Sequence, residues 1–269
     1  MKGRVLIAAG SDSGGGAGIQ ADIKAVTALG GFAMTAITAL TAQNTEGVHG
    51  IHEVDPDFVR RQMQVVLQDL GADAVKTGML HRRAVVEAVA DALAADAPGV
   101  PLVVDPVMVA KGGARLLDED TVAVLQDRLL PLATLLTPNV PEAEVLAGMK
   151  IGDADSQAAA AQRLLALGPA AVLVKGGHLT GPVVRDCLAD AGGIHWFEDV
   201  RIDTRSTHGT GCTMASAIAT GLAQGLDLPA AVRRARAYVQ RAITTAPGFG
   251  RGHGPLNHAH TVRPMDGAG

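Results

Sequence analysis

The chain has 269 residues, 48% hydrophobic but only 2% aromatic, with a formal net charge of −4. That is enough apolar material for a large core of Ala, Val, Leu and Ile, and the length suits a single α/β domain over residues 1–269. The charge argues against a nucleic-acid binder, which needs clustered Lys and Arg, and no apolar run nears the ~20 residues that span a bilayer.

In chain order, Met1-Lys2-Gly3-Arg4 leads into a short apolar run, Val5 to Ala9, and then a glycine cluster. The run is too short for a signal peptide and lacks a cleavage site, which reads as a soluble cytoplasmic protein with no membrane partner. Further Val/Ile/Leu runs follow: FAMTAITAL (32–40), DAVKTGML (73–80), PLVVDPV (101–107), ATLLTPN (133–139) and AVLVKGG (171–177). Nearly all-apolar runs suit strands buried on both faces of a parallel sheet. Between them lie helix signals. Asp55-Pro56 can cap a helix carrying Val59, Met63, Val66, Leu67 and Leu70, and Val232, Ala235, Val239 and Ala242 repeat the spacing. The alternation predicts a mostly parallel central sheet with helices on both faces. Residues 48–54 and 186–202 read instead as short strands with a glycine turn, an antiparallel edge. Arg233, Arg234, Arg236 and Arg241 fit the solvated face of a helix. The tail from Pro247, with His253, His258 and His260, reads as surface without metal-ligand spacing.

In open α/β sheets, ligands bind beyond the carboxyl ends of the strands. The polar and glycine-rich elements follow the apolar runs, so they should converge there. Gly209, Thr210 and Gly211 open a long Ala-rich helix, and successive N–H groups at such a turn can cradle an anion. Cys212 would be the first or second helical residue, where a lowered pKa would favour the thiolate and a role as base or as an anchor for a substrate hydroxyl. It could equally be a small buried residue. The Gly10–Gly18 stretch matches neither GxxxxGK[ST] nor GxGxxG, and suits close backbone approach to a small ligand. Asp22 behind it could bind a ligand or balance a helix dipole. Asp105 in VVDPVM and Glu142, three residues after Asn139, could together hold Mg²⁺ with a nucleotide. Lys175 could reach a phosphate, and VMVAKGGARLL (107–117) has the character of a lid. Cys187 and Cys212 form neither a CxxC motif nor a disulfide framework.

The set AGSDSGGGAGIQADIKA, ITALTAQNTEGV, VKTGML, VVDPVMVAKGG, LLTPNVPEAEVL, AVLVKGGHL and STHGTGCT resembles the hydroxymethylpyrimidine/phosphomethylpyrimidine kinases of thiamin biosynthesis, within the ribokinase-like superfamily. The resemblance runs from about residue 4 to about residue 258. It implies two ATP-dependent phosphorylations with Mg²⁺, first of 4-amino-5-hydroxymethyl-2-methylpyrimidine and then of its monophosphate. It also implies that Gln43 hydrogen-bonds the aminopyrimidine, and that Gly10, Asp22, Met79 and Val107 line the same pocket. By the same resemblance the GTGC backbone holds the transferring phosphate, Asp105 and Glu142 organise Mg²⁺, and Lys175 and Asn139 bind ATP. Related sugar kinases carry an aspartate base where Cys212 stands. A cysteine suits a second step whose acceptor is already a phosphate, which an aspartate would repel. Pyridoxal kinase, a kinase limited to one step and a non-catalytic pyrimidine sensor are the alternatives. A homodimer through 48–54 and 186–202 is compatible with the resemblance.

Overall fold

The computed structural model describes residues 1–109 and 116–262. The expected lid over 107–117 falls mostly on residues 110–115, outside the described residues.

Strand β1 (Arg4–Asp12) lies inside a sheet whose two faces are both covered. Side chains alternate along a strand, so Val5, Ile7 and Ala9 enter one apolar layer while Leu6 and Ala8 enter the other. The same double burial explains the unbroken apolar character of β4 (Ala74–Thr77), β5 (Leu102–Val104), β6 (Leu135–Leu136) and β7 (Val172–Val174). β2 (Phe32–Gln43) differs: near the sheet edge its residues alternate between buried and partly exposed. Strand β3 (Val48–Glu53) pairs antiparallel with β2, and the hairpin of β8 (Val183–Asp190) and β9 (Gly193–Val200) pairs antiparallel with β7. The order is β3-β2-β1-β4-β5-β6-β7-β8-β9, parallel from β2 to β7.

One face of the sheet carries α1 (Gly18–Ala28), α7 (Thr210–Ala223) and α8 (Leu228–Thr244). The other carries α2 (Pro56–Asp69), α3 (Arg83–Asp96), α4 (Glu119–Val124), α5 (Val140–Ala147) and α6 (Ala154–Leu165). Helix α2 starts where its sequence says: Asp55 accepts from the N–H groups of Asp57 and Phe58, and Pro56 opens the first turn. Losing such a cap costs about 1 kcal/mol. Val59, Met63 and Leu67 then face the core.

In α8 the expected stripe of Val232, Ala235, Val239 and Ala242 is buried, but the arginines do not share one solvated face. Arg236 is buried, with its guanidinium bonded to Asp186 and Asp199. A buried guanidinium needs partners of this kind, and the two acids come from β8 and β9, far off in sequence. The tail also departs from expectation. His258 is buried and shares a 3.0 Å hydrogen bond with the Thr213 hydroxyl, while His253 is exposed.

The site lies where the topology opens. β1 is flanked by β2 on one side and β4 on the other, so the connections leave it in opposite directions. The β1–β2 register shifts between Ala9 and Ser11, at Gly10.

Candidate active site

A cavity of about 760 Å³ lies at the carboxyl ends of the parallel strands, within the size range of small-molecule sites. Gly10 reaches it from the end of β1, Gln43 from β2, Met79 from beyond β4, and Asp105 and Val107 from beyond β5. Asn139 and Glu142 enter from the start of α5, Lys175 from the end of β7, and Gly209, Thr210, Gly211 and Cys212 from the start of α7. Gly10 is wedged against a neighbour, for a Cβ there would lie 2.5 Å from Met79 Cε.

Asp22 is the exception. It does not line the cavity; it is fully buried beneath it, 2.9 Å from Lys76 Nζ, and accepts a 2.7 Å bond from the Ser216 hydroxyl. A carboxylate on the inner face of α1 requires a buried counter-charge. Lys76 supplies it from the middle of the sheet, so Asp22 is an ion-pair partner rather than a ligand-facing acid. Burial opposes the charge on Lys76, but Asp22, with Cys212 and Asp105 acting in the same direction, outweighs it and holds the ammonium protonated.

Helix α7 begins at Gly209, whose φ of 82° is the left-handed conformation that favours glycine. A Cβ there would collide with the Gly16 carbonyl oxygen, so only glycine lets this turn stack on the loop before α1. No described side chain caps α7. Its amino end, with the partial positive charge of its first-turn N–H groups, faces the cavity, a position that favours an anion.

Cys212 is the third helical residue, and its thiol is not a ready thiolate. Burial pushes it up to about 12, with Asp22 and Asp105 adding to the rise, against Lys76 and the Gly18 N–H, which favour the anion. Desolvation, with the two carboxylates, outweighs the pull of Lys76 and the Gly18 N–H.

Next to this turn, Lys175 Nζ bonds Asp105 Oδ1 at 2.9 Å. A Cβ on Gly211 would lie 3.3 Å from that Nζ, so the pair sits directly under the first turn of α7. Burial works against the Lys175 charge, but Asp105 and Glu142 keep it protonated. Asn139 and Glu142 form a reciprocal cap on α5: Asn139 Oδ1 accepts from Glu142 N at 3.0 Å, and Glu142 Oε2 from Asn139 N at 2.9 Å. Burial, opposed by Lys175 and helped by Asp105, pushes the Glu142 carboxyl up to about 7. Two buried carboxylates around one ammonium suit a hard cation that completes its shell with water and phosphate oxygens, as Mg²⁺ does. No group of three or more metal-ligating side chains occurs among the described residues, so a closed protein cage is not the fit.

Two wall residues escape sequence reasoning. Asp12 and His208 are buried and 2.8 Å apart, and both line the cavity. They stand 196 positions apart, so no local pattern pairs them. Arg236 also lines the cavity, with Val239, Gln240 and Ile243 of the same helix. The tail clasps the segments that carry Thr45 and His208. His253 N donates to Thr45 O at 2.8 Å, Gly254 O accepts from His208 N at 3.1 Å, and Tyr238 donates to His258 O at 3.2 Å.

Comparison with known proteins agrees with this architecture. The family model described as phosphomethylpyrimidine kinase matches residues 12–257. The hydroxymethylpyrimidine/phosphomethylpyrimidine kinase of Streptomyces coelicolor is 50% identical, over 94% of this chain and 93% of that protein. The thiamine biosynthesis bifunctional protein ThiED of Geobacter sulfurreducens is 54% identical over 96% of this chain, which spans only 52% of that longer protein. Among solved structures, the phosphomethylpyrimidine kinase of Clostridium difficile 630 has a TM-score of 0.80 at 39% identity, covering 90% of this chain and 100% of that one. An ADP complex of Bacillus subtilis pyridoxal kinase superimposes with a TM-score of 0.88 at 33% identity, covering 96% of this chain and 98% of that one. With the match spanning nearly all its residues, the chain belongs to the phosphomethylpyrimidine kinase family.

Proposed function

We propose that the chain transfers the γ-phosphoryl group of ATP to the hydroxymethyl oxygen of 4-amino-5-hydroxymethyl-2-methylpyrimidine, and then phosphorylates that monophosphate to the diphosphate, within thiamin biosynthesis. The observation that carries this reading is the meeting, on one cavity, of the Gln43 amide with the amino end of α7 and the Asp105–Lys175 pair. An amide that both donates and accepts suits a ring nitrogen beside an amino group. The acceptor oxygen bonds to the γ-phosphorus as the bridging oxygen leaves with ADP. The first-turn N–H groups of α7 and the Lys175 ammonium stabilise the charge on the transferring group. Mg²⁺, held by Asp105 and Glu142, would neutralise the ATP phosphates. Phosphoryl transfer passes through a loose transition state that asks little of a base. The neutral Cys212 thiol therefore acts by holding the acceptor, and the hydroxyl proton leaves late, to a product phosphoryl oxygen.

The test is ADP release with Mg-ATP and, in parallel, hydroxymethylpyrimidine, its monophosphate and pyridoxal, with Cys212→Ala as control. Turnover of both pyrimidines, reduced in the variant, supports the reading. The pyridoxal kinases of similar fold make pyridoxal the second candidate, and turnover of pyridoxal alone would establish it in place of the first. Binding without any ADP release would indicate a sensor.

A further inference from the structure

A buried acid stands where the proposed nucleotide would favour the opposite sign. Asp186 lines the cavity, yet ATP would enter it as a polyanion. Its place follows from the backbone. Pairing between β7 and β8 ends at Val174 and Cys187, so the N–H of Gly176 falls beyond the ladder. A buried N–H needs an acceptor, and Asp186 Oδ1 supplies one at 2.8 Å. Gly176 is pressed so closely on β8 that a Cβ would collide with the Arg185 carbonyl oxygen. The residue before it is Lys175, whose N donates to Pro138 O at 2.8 Å and whose Nζ bonds Asp105 at 2.9 Å. Asp186 therefore anchors the backbone that carries the Lys175 ammonium.

That anchor brings a negative charge close to Lys175, and Arg236 answers it. Arg236 Nη1 donates to Asp186 Oδ2, while Nη2 donates to Asp199 and, at 3.4 Å, to the Val184 carbonyl. One guanidinium between two carboxylates has no net charge to spare for a phosphate. Burial raises the Asp186 carboxyl above its ordinary value, and Arg236 opposes that rise most, ahead of the Gly176 N–H and Lys175. The planar fork matters as well as the charge, because it reaches acids on two strands at once.

We infer that Arg236 is a positioning residue: it neutralises Asp186, so that this acid can anchor Gly176 without repelling the nucleotide phosphates from Lys175. The inference rests on the proposed function for its nucleotide.

The test is calorimetric titration of the intact chain with ATP and with AMP, both with Mg²⁺, at pH 8.5, which favours the carboxylate. Arg236→Met should weaken ATP about tenfold but AMP by no more than about threefold, because the repulsion grows with the charge of the phosphate chain. Arg236→Lys, which keeps the charge, should hold ATP to within about threefold of wild type. Adding Asp186→Asn to Arg236→Met should bring ATP back to a similar level, since an amide oxygen still accepts the Gly176 N–H and carries no charge. In steady state, Arg236→Met should leave the KM for hydroxymethylpyrimidine within about twofold. If Arg236→Met fails to fold, Arg236→Gln, uncharged but still a donor, takes its place. Equal losses for ATP and AMP, a lysine variant as poor as the methionine one, or a double variant no better than the single would overturn the inference. A wild type that binds no ATP would overturn the proposed function, and this inference with it. A wild type that binds ATP while its variants fail these expectations would overturn the inference alone.

Discussion

Replacing Lys76 with Met keeps most of the side-chain volume and removes only the ammonium, leaving Asp22 buried with Ser216 as its side-chain partner among the described residues. Breaking one half of a buried ion pair costs about 3–5 kcal/mol. At ~2–4 °C per kcal/mol for a chain of this size, the unfolding midpoint should fall by about 10 °C. The loss should also depend on pH. Burial raises the Asp22 carboxyl above its ordinary value, and the variant lacks the cation that opposes this. An acid whose folded pKa is raised costs stability as pH climbs from its unfolded value to its folded one, at about 1.4 kcal/mol per unit. The gap between variant and wild type should therefore be wider at pH 8 than at pH 6, by up to about 3 kcal/mol. Adding Asp22→Asn, which removes the stranded charge, should close part of it. Urea unfolding at the two pH values, on all three proteins, measures these differences. A gap below about 1 kcal/mol at pH 8, or one equal at both pH values, would refute the account of Asp22 as a structural charge.

Because burial pushes the Cys212 thiol up to about 12, its alkylation by iodoacetamide should rise about tenfold from pH 8 to pH 9 without levelling off; a plateau near pH 7 in the peptide carrying Cys212 would show a thiolate instead. Cys212→Asp should keep the first phosphorylation within an order of magnitude but slow the second by about 100-fold, since a carboxylate would face a phosphate acceptor; equal effects on both steps would count against this. Glu142, raised to about 7 in the folded chain, should cost the wild type about 3 kcal/mol as pH rises from 4.5 to 7. Glu142→Gln should therefore gain stability relative to wild type over that window, and Mg²⁺ should stabilise the wild type more than the variant. Parallel thermal melts with and without Mg²⁺ would read both effects.

The strands were legible because burial on both faces leaves its mark on every residue, as in Val5 to Ala9, and Asp55-Pro56 announced α2 through purely local chemistry. What local pattern could not supply was the pairing of charges. Asp22 meets Lys76 across 54 positions and Arg236 meets Asp186 across 50, so each looked like a solvent or ligand group until the fold supplied its partner. Cys212 failed differently. Its place near a helix start was legible, but the sign of its shift depends on burial, which the surrounding loops decide. His258 was misread for a related reason: it is covered by contacts with Thr213 and Tyr238, and burial pushes it down to about 4.

The clasp of the tail on the cavity wall bears on the order in which the protein is made. Gln43 and His208 leave the ribosome well before residues 253–258, yet the strut that steadies Thr45 and His208 is formed by those later residues. A growing chain can thus assemble its sheet while the turn before α7 still lacks that support. The cavity wall is therefore completed only after the sheet that carries it, once residues 253–258 have been made.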